Sequence, residues 1–153
     1  MDMTGEHRID APRAVVWQAL NDDAVLRQCI PGCTELEKTS ETELSAVVVQ
    51  KVGPVKAKFA GSVELTNINP PESYTIRGEG SGGVAGFAKG GADVFLTEDG
   101  DGTLLTYEVH ATVGGKLARL GNRLIDATAR KLATQFFNSF QAHLNEAGPT
   151  PPA

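Results

Sequence analysis

The sequence predicts an α+β fold in which one curved antiparallel sheet is lidded by a long helix, and three observations carry that prediction. Between residues 44 and 113 apolar side chains recur at every second position, with polar ones between them. From residue 116 to residue 145 the apolar spacing changes to three and four. Short helical signals fill the stretch between residues 10 and 31, ahead of the alternating region.

The elements follow in order. An opening strand covers residues 3 to 9, after which Asp10 and Pro12 supply a helix start. The stretch AVVWQAL then sets Val16, Trp17 and Leu20 on one face, and this helix ends near Asn21. A second short helix, AVLRQCI, stops at Pro31-Gly32, because proline disfavours helical backbone in the residue before it and glycine permits a reversal. With Phe59 taken as inward, the strands that follow place Leu44, Val48, Val63, Ile76, Val94, Leu105 and Tyr107 on one face. Lys56, Lys58, Glu64, Arg77 and Glu79 fall on the other. One wet face and one buried face, joined by short turns such as EDGDG, give an antiparallel sheet. The final helix carries Leu117, Leu120, Leu124, Leu132, Phe136, Phe140 and Leu144 on its apolar side, with Lys116, Arg119, Arg123 and Arg130 gathered elsewhere as a solvated basic stripe.

Composition narrows the function classes. A chain of 153 residues with 41% hydrophobic and 22% charged residues has enough apolar content for a real core, which excludes disordered and fibrous classes. Residues 1–146 are expected to form a single domain and residues 147–153 a flexible Pro-rich tail. The net charge of −5, with no isolated basic block, argues against nucleic acid as a partner. No apolar export signal or run long enough to span a bilayer is present, so a cytoplasmic protein is expected. Cys29 and Cys33 lack a second Cys pair or a nearby His, so they are expected to be buried, unreactive thiols and not a metal site.

The inward face has an unusual feature. Ala46, Ala57, Gly61, Gly78, Gly80, Gly90, Ala92 and Ala111 all fall on it, many near strand centres, so too little volume projects toward the helix. An unfilled space of about 300 Å³ would cost roughly 7 kcal/mol, comparable to the stability of a whole domain. Such a space is expected to hold a ligand or water. The competing explanation is that the glycines mark bends or close backbone approach, which would shut the gap. Gln50 is the one amide on this face, and Tyr74 and Tyr107 offer hydroxyls to a ligand's polar end. Phe87, in the tip VAGFAKG, is a candidate gate over the space or a contact for a partner.

Other motifs do not survive inspection. GEGSGG fits G-x-G-x-x-G at Gly78, Gly80 and Gly83, but strand, not a helix N-terminus, follows it, so pyrophosphate has nothing to rest on. No cofactor is expected. His7, His110 and His143 lie far apart in sequence, and Glu108 and His110 share the outward parity as an exposed polar pair, so no catalytic residue is assigned.

Taken together, CIPGCTEL, VGPVKAKFAGSVEL, GFAKGGADVFL and VGGKLARLGNRLI followed by FF resemble the CoxG family of carbon monoxide dehydrogenase accessory proteins, within the helix-grip, START-like superfamily, over residues 3 to about 145. The resemblance implies a seven-stranded antiparallel sheet gripping the C-terminal helix around an apolar cavity. It also implies a non-enzymatic accessory protein, encoded beside molybdenum-containing hydroxylases of the carbon monoxide dehydrogenase type and associated with bringing that enzyme to the membrane. A C-terminal lipid-binding extension, common in that family, is not expected from GPTPPA. The expected ligand is an elongated apolar molecule, a lipid or quinone, placed among Gln50, Phe59, Gly61, Gly78, Ala92, Tyr107, Leu124 and Thr128, with Phe87 at the gate. Two alternatives stand beside this. One is a small cyclase or dehydratase-like enzyme using Glu108 with His110 or Tyr107; the other is a docking module in which Phe87 and the basic stripe meet a partner or an anionic lipid surface.

Overall fold

A computed structural model describes residues 1–146, so the Pro-rich tail expected at 147–153 lies outside the described residues. Its elements are β1 (Asp2–Ile9), α1 (Arg13–Leu20), α2 (Asp23–Cys29), β2 (Cys33–Lys38), β3 (Glu43–Val52), β4 (Val55–Asn69), β5 (Ser73–Ser81), β6 (Phe87–Asp99), β7 (Gly102–Gly114) and α3 (Asn122–Glu146). All seven strands form one antiparallel sheet in the order β1-β7-β6-β5-β4-β3-β2. From β2 to β7 each strand pairs with the next in sequence, while β1 pairs with β7. The chain must therefore cross from one sheet edge to the other between β1 and β2, and α1 and α2 make that crossing. This is the helix-grip architecture.

Local chemistry accounts for the ends of these elements. Asp22 caps α2, its carboxylate accepting from the Ala24 backbone N–H at 2.9 Å, which satisfies one of the helix's orphan donors. The strand at Cys33–Lys38 has no counterpart in the period-two pattern read from the sequence. Only Cys33 and Leu36 give it an apolar side, it forms a sheet edge, and its pairing with β3 shifts register between Cys33 and Glu35. The last helix is also shorter than its apolar periodicity predicts. A separate 3-10 segment, Gly115–Leu120, precedes it, and Gly121 between them has φ +88°, a conformation no continuous right-handed helix contains. The basic stripe is consequently divided, with Lys116 and Arg119 before the break and Arg123 and Arg130 after it.

The core is concentrated toward the C-terminal end of α3. Phe140, Ile9, Leu105 and Val16 are almost completely buried, and the Thr103 hydroxyl beside them donates to the Ala11 carbonyl at 2.8 Å. Trp17 of α1 packs edge-on against Tyr74 of β5 at 5.3 Å. Within α3, only Phe140 and Leu144 are fully buried. The N-terminal half of the helix, with Leu124, Ile125, Thr128 and Ala129 only half-buried, is not packed down in the same way.

Candidate functional site

Under the grip of helix and sheet lies a chamber of about 360 Å³ whose lining is almost wholly apolar. Its floor is the concave sheet face, with Ala46, Val63, Ile76, Ala92, Val94, Leu105 and Val109, from β3 through β7, all pointing inward as their parity requires. Ala133, Phe136 and Phe137 of α3 form the roof, and Leu20, Leu26, Ile30 and Leu36 close the side where the chain crosses between sheet edges. Besides the phenols of Tyr74 and Tyr107, polar side chains enter only at a rim made by Asn21, Lys38, Glu41 and Thr42. A second apolar concavity, again about 360 Å³, continues along the same sheet face past Val48, Phe59, Gly61, Gly78, Gly80 and Ala88. Ala46, Val63, Ile76, Ala92 and Val109 line both, so the two form one trough, enclosed at one end and open at the other.

The small residues on this face act in two ways at once. A side chain on Gly61 would come within 2.5 Å of the Glu79 carbonyl, and one on Gly90 would collide with the His110 carbonyl. Glycine there lets neighbouring strands approach closely as the sheet coils. The same absence of side chains leaves the concave surface bare, so close backbone approach and an unfilled trough coexist instead of excluding each other.

The residues singled out from the sequence divide among several places. Ala92 and Tyr107 line the enclosed chamber; Phe59, Gly61, Gly78 and, again, Ala92 line the open trough. Gln50 lines neither, and its amide nitrogen donates to the Pro31 carbonyl at 2.6 Å, tying β3 to the turn after α2. The Tyr107 hydroxyl lies over Gly5 of β1, where any side chain would collide with it. Leu124 rests on the β3–β4 turn, within 2.8 Å of where a side chain on Gly53 would sit, and the Thr128 hydroxyl donates to the Leu124 carbonyl at 2.8 Å. Phe87, 47% exposed, does not line the trough: it pairs with Ser81 and Gly114 and shares the outer sheet face with Lys89, its ring lying over Gly114. Of the aromatic roof, Phe136 was visible as helix periodicity, whereas Phe137 lies outside the apolar row read from the sequence and the contributions of Leu26, Ile30 and Leu36 depend on how α2 and β2 cross the sheet.

Titratable groups are arranged mostly away from this space. His110 is on the outer sheet face, its Nδ1 2.9 Å from Asp2 Oδ1. That hydrogen bond and the Asp2 charge raise the imidazole's pKa, and the same contact lowers that of Asp2. Glu108 is exposed on the same outer face, so the acid–base pair with His110 does not reach the chamber. A larger concavity of about 600 Å³ on that side is open and lined by charged residues including Glu64, Arg77, Glu79, Lys89 and Asp93, the solvated side of the sheet. His7 does face inward, stacked on Phe137 at 4.2 Å, and burial lowers its pKa. Tyr74 is driven well above the usual phenol range by burial. Cys29 is buried and Cys33 half-buried, both are free thiols, and burial raises the pKa of each.

A seven-stranded sheet gripping a C-terminal helix over an apolar chamber defines the START-like, helix-grip class. The crystal structure of a conserved protein from Geobacillus kaustophilus matches with a TM-score of 0.91 and 32% identity, over 96% of this chain and 97% of that one. A START superfamily protein from Mycobacterium smegmatis matches at TM-score 0.74 and 11% identity, over 95% and 97% of the two chains. An uncharacterised protein from Rhizobium leguminosarum matches at 0.71 and 13%, over 95% of each. The latter two share the fold alone. The chain belongs to the carbon monoxide dehydrogenase CoxG family, whose model matches residues 5–145. No curated protein matches it.

Proposed function

We propose that this protein is a non-enzymatic accessory protein that carries an elongated apolar molecule, lipid- or quinone-like, in the trough between the sheet and α3. Its client is a molybdenum-containing hydroxylase of the carbon monoxide dehydrogenase type, whose function or recruitment at the membrane it assists. The observation that supports this reading is the chamber itself. With no guest, the almost wholly apolar lining of this space of about 360 Å³ faces water, at a free-energy cost that grows with the apolar area left wet. A guest of methylene groups relieves that cost and gains about 0.8 kcal/mol for each one buried. The lining offers no nucleophile with a positioned base, and apart from the Tyr74 and Tyr107 phenols its polar side chains lie at the rim, as suits a binding site that fixes one polar head and covers the rest.

The test is native mass spectrometry of protein purified from its own host. A co-purifying hydrophobic adduct, lost on delipidation and restored by adding a long-chain lipid or quinone, is the expected result. Bare protein that takes up neither overturns the carrier reading. The cyclase-type alternative, with Glu108 and His110 or Tyr107 as its proton-transfer groups, keeps only Tyr107 at the chamber, since Glu108 and His110 are exposed on the outer face. It requires a turnover that Tyr107→Phe abolishes.

A further inference from the structure

The charge on this molecule is segregated along its long direction. The chain carries 14 Lys and Arg against 19 Asp and Glu. Three stretches, 48–61, 80–92 and 111–125, contain no carboxylate at all but hold Lys51, Lys56, Lys58, Lys89, Lys116, Arg119 and Arg123. Seven cations are thus set apart from a remainder of 7 cations and 19 acids, a balance of −12.

The fold brings these stretches to one end. Leu124 at the start of α3 sits on Gly53 of the β3–β4 turn, Gly82 packs against Phe59, and a side chain on Gly115 would come within 2.5 Å of Gly86. None of the seven cations makes an ion pair among the described residues. Only Lys89 faces a carboxylate in register, Glu79, whereas Lys51 and Lys56 stand directly opposite each other across β3 and β4. A like-charge cross-strand pair is destabilising, and neither lysine has an ion-pair partner among the described residues.

Apolar side chains project from the same end. Val84, 84% exposed, is the tip of the short 3-10 turn Gly83–Ala85, and Phe87 follows it. Beside them the trough opens between Phe59, Gly80 and Ala88. An apolar tip ringed by unpaired cations is the pattern of a surface that meets a negatively charged bilayer, with the tip among the acyl chains and the cations at phosphate level. An acidic protein surface would satisfy the cations, but it would not require so exposed an apolar side chain as Val84 to protrude at the end where an apolar trough opens.

We propose that this basic end is a docking surface for an anionic lipid bilayer, on which the protein stands with the open mouth of its trough against the membrane. The inference rests on the carrier reading for the purpose of the contact, since it gives an apolar guest a path that never crosses water. The remaining surface, strongly acidic, orients the molecule by repulsion from the same bilayer.

Flotation with vesicles tests it, using phosphatidylcholine alone and phosphatidylcholine with one third phosphatidylglycerol. The protein is expected to float with the anionic vesicles at low salt and to be released at high salt, where charges are screened. Neutralising Lys116, Arg119 and Arg123 together (K116Q, R119Q, R123Q) is expected to weaken partitioning by about a hundredfold. A control with R8Q and R13Q, whose guanidinium groups pair with Asp99 and Glu98 at the β6–β7 turn, the other end of these strands, should float nearly as the parent does. Val84→Ser with Phe87→Ser should float weakly and lose its residual binding at lower salt. Uptake of a fluorescent fatty acid is measured in parallel and should be unchanged in the triple variant and in the control. Equal flotation of the triple variant and the parent overturns the inference, as does a parent that takes up the probe yet ignores anionic vesicles; the second result leaves the carrier reading standing. A parent that floats as described but takes up no probe upholds the docking surface and defeats the carrier reading instead. Unaltered flotation combined with loss of binding to an acidic protein in the triple variant assigns the surface to a protein partner and overturns the bilayer.

Discussion

Replacing Ala92 by phenylalanine tests the void directly, because the sign of the effect on stability depends on whether the void is there. Ala92 stands near the middle of β6, opposite Ile76 of β5 and Val109 of β7, and lines both the enclosed chamber and the open trough. The added ring takes the room of roughly four methylene-sized groups, about 120 Å³ if each occupies the share a water has in the liquid. Filling that much empty apolar space removes at most about 3 kcal/mol of cavity cost. At about 2–4 °C for each kcal/mol in a domain of this size, the Tm of the delipidated protein should rise by several degrees. If the helix instead lay flush on the sheet, the ring would overpack the interface and cost about 1–3 kcal/mol, lowering Tm. The same ring displaces part of the guest. Loss of four buried methylenes at about 0.8 kcal/mol each weakens binding of a long-chain fluorescent probe by more than about a hundredfold. Scanning calorimetry and probe titration on one preparation give both numbers. A lower Tm with unchanged probe affinity refutes the reasoning.

Two further outcomes bear on the frame around the site. Gly32 has φ +76°, and a side chain there would strike the Val49 carbonyl and crowd the Gln50 amide, so Gly32→Ala should cost at least about 2 kcal/mol and shift the urea midpoint down by roughly 1 M; an unchanged midpoint means the turn after α2 is not held this way. At the other sheet edge, the Asp2–His110 contact raises the His110 pKa and lowers that of Asp2. The His110 contribution to stability is present below its unfolded pKa and lost as pH rises through the raised folded value. The Asp2 contribution is present above its unfolded pKa and lost as pH falls through the lowered one, so the pair is strongest between those limits. Asp2→Asn should return the His110 imidazole toward about 6.5 in an NMR titration, and a titration curve that does not move would show that the contact is not made in solution.

Several of these features were legible in the residues themselves. Strict alternation from Leu44 to Val113 specified which side chains face the helix, and that parity holds at Ala46, Ile76, Ala92, Val94, Leu105 and Val109 around the chamber. It holds because strand geometry is local: successive side chains point to opposite faces whatever the rest of the chain does. The small residues on the inward face were equally visible, and so was the apolar row ending in Phe136, Phe140 and Leu144. The edge strand Cys33–Lys38 was not, since a strand with one solvated edge and few apolar residues owes its conformation to pairing with β3 and has little pattern of its own.

What the sequence by itself determined is therefore the class of each element, its buried side and the shortage of volume between them, all consequences of short-range backbone geometry. Tertiary structure decided the rest. It decided that Gly121 breaks the last helix, that Gln50 belongs to Pro31, that the Tyr107 hydroxyl lies over Gly5, and that three carboxylate-free stretches remote in sequence meet at one end. Each of these turns on which distant residue arrives alongside, and that is set by the order β1-β7-β6-β5-β4-β3-β2 and the crossing of α1 and α2, which no local period encodes.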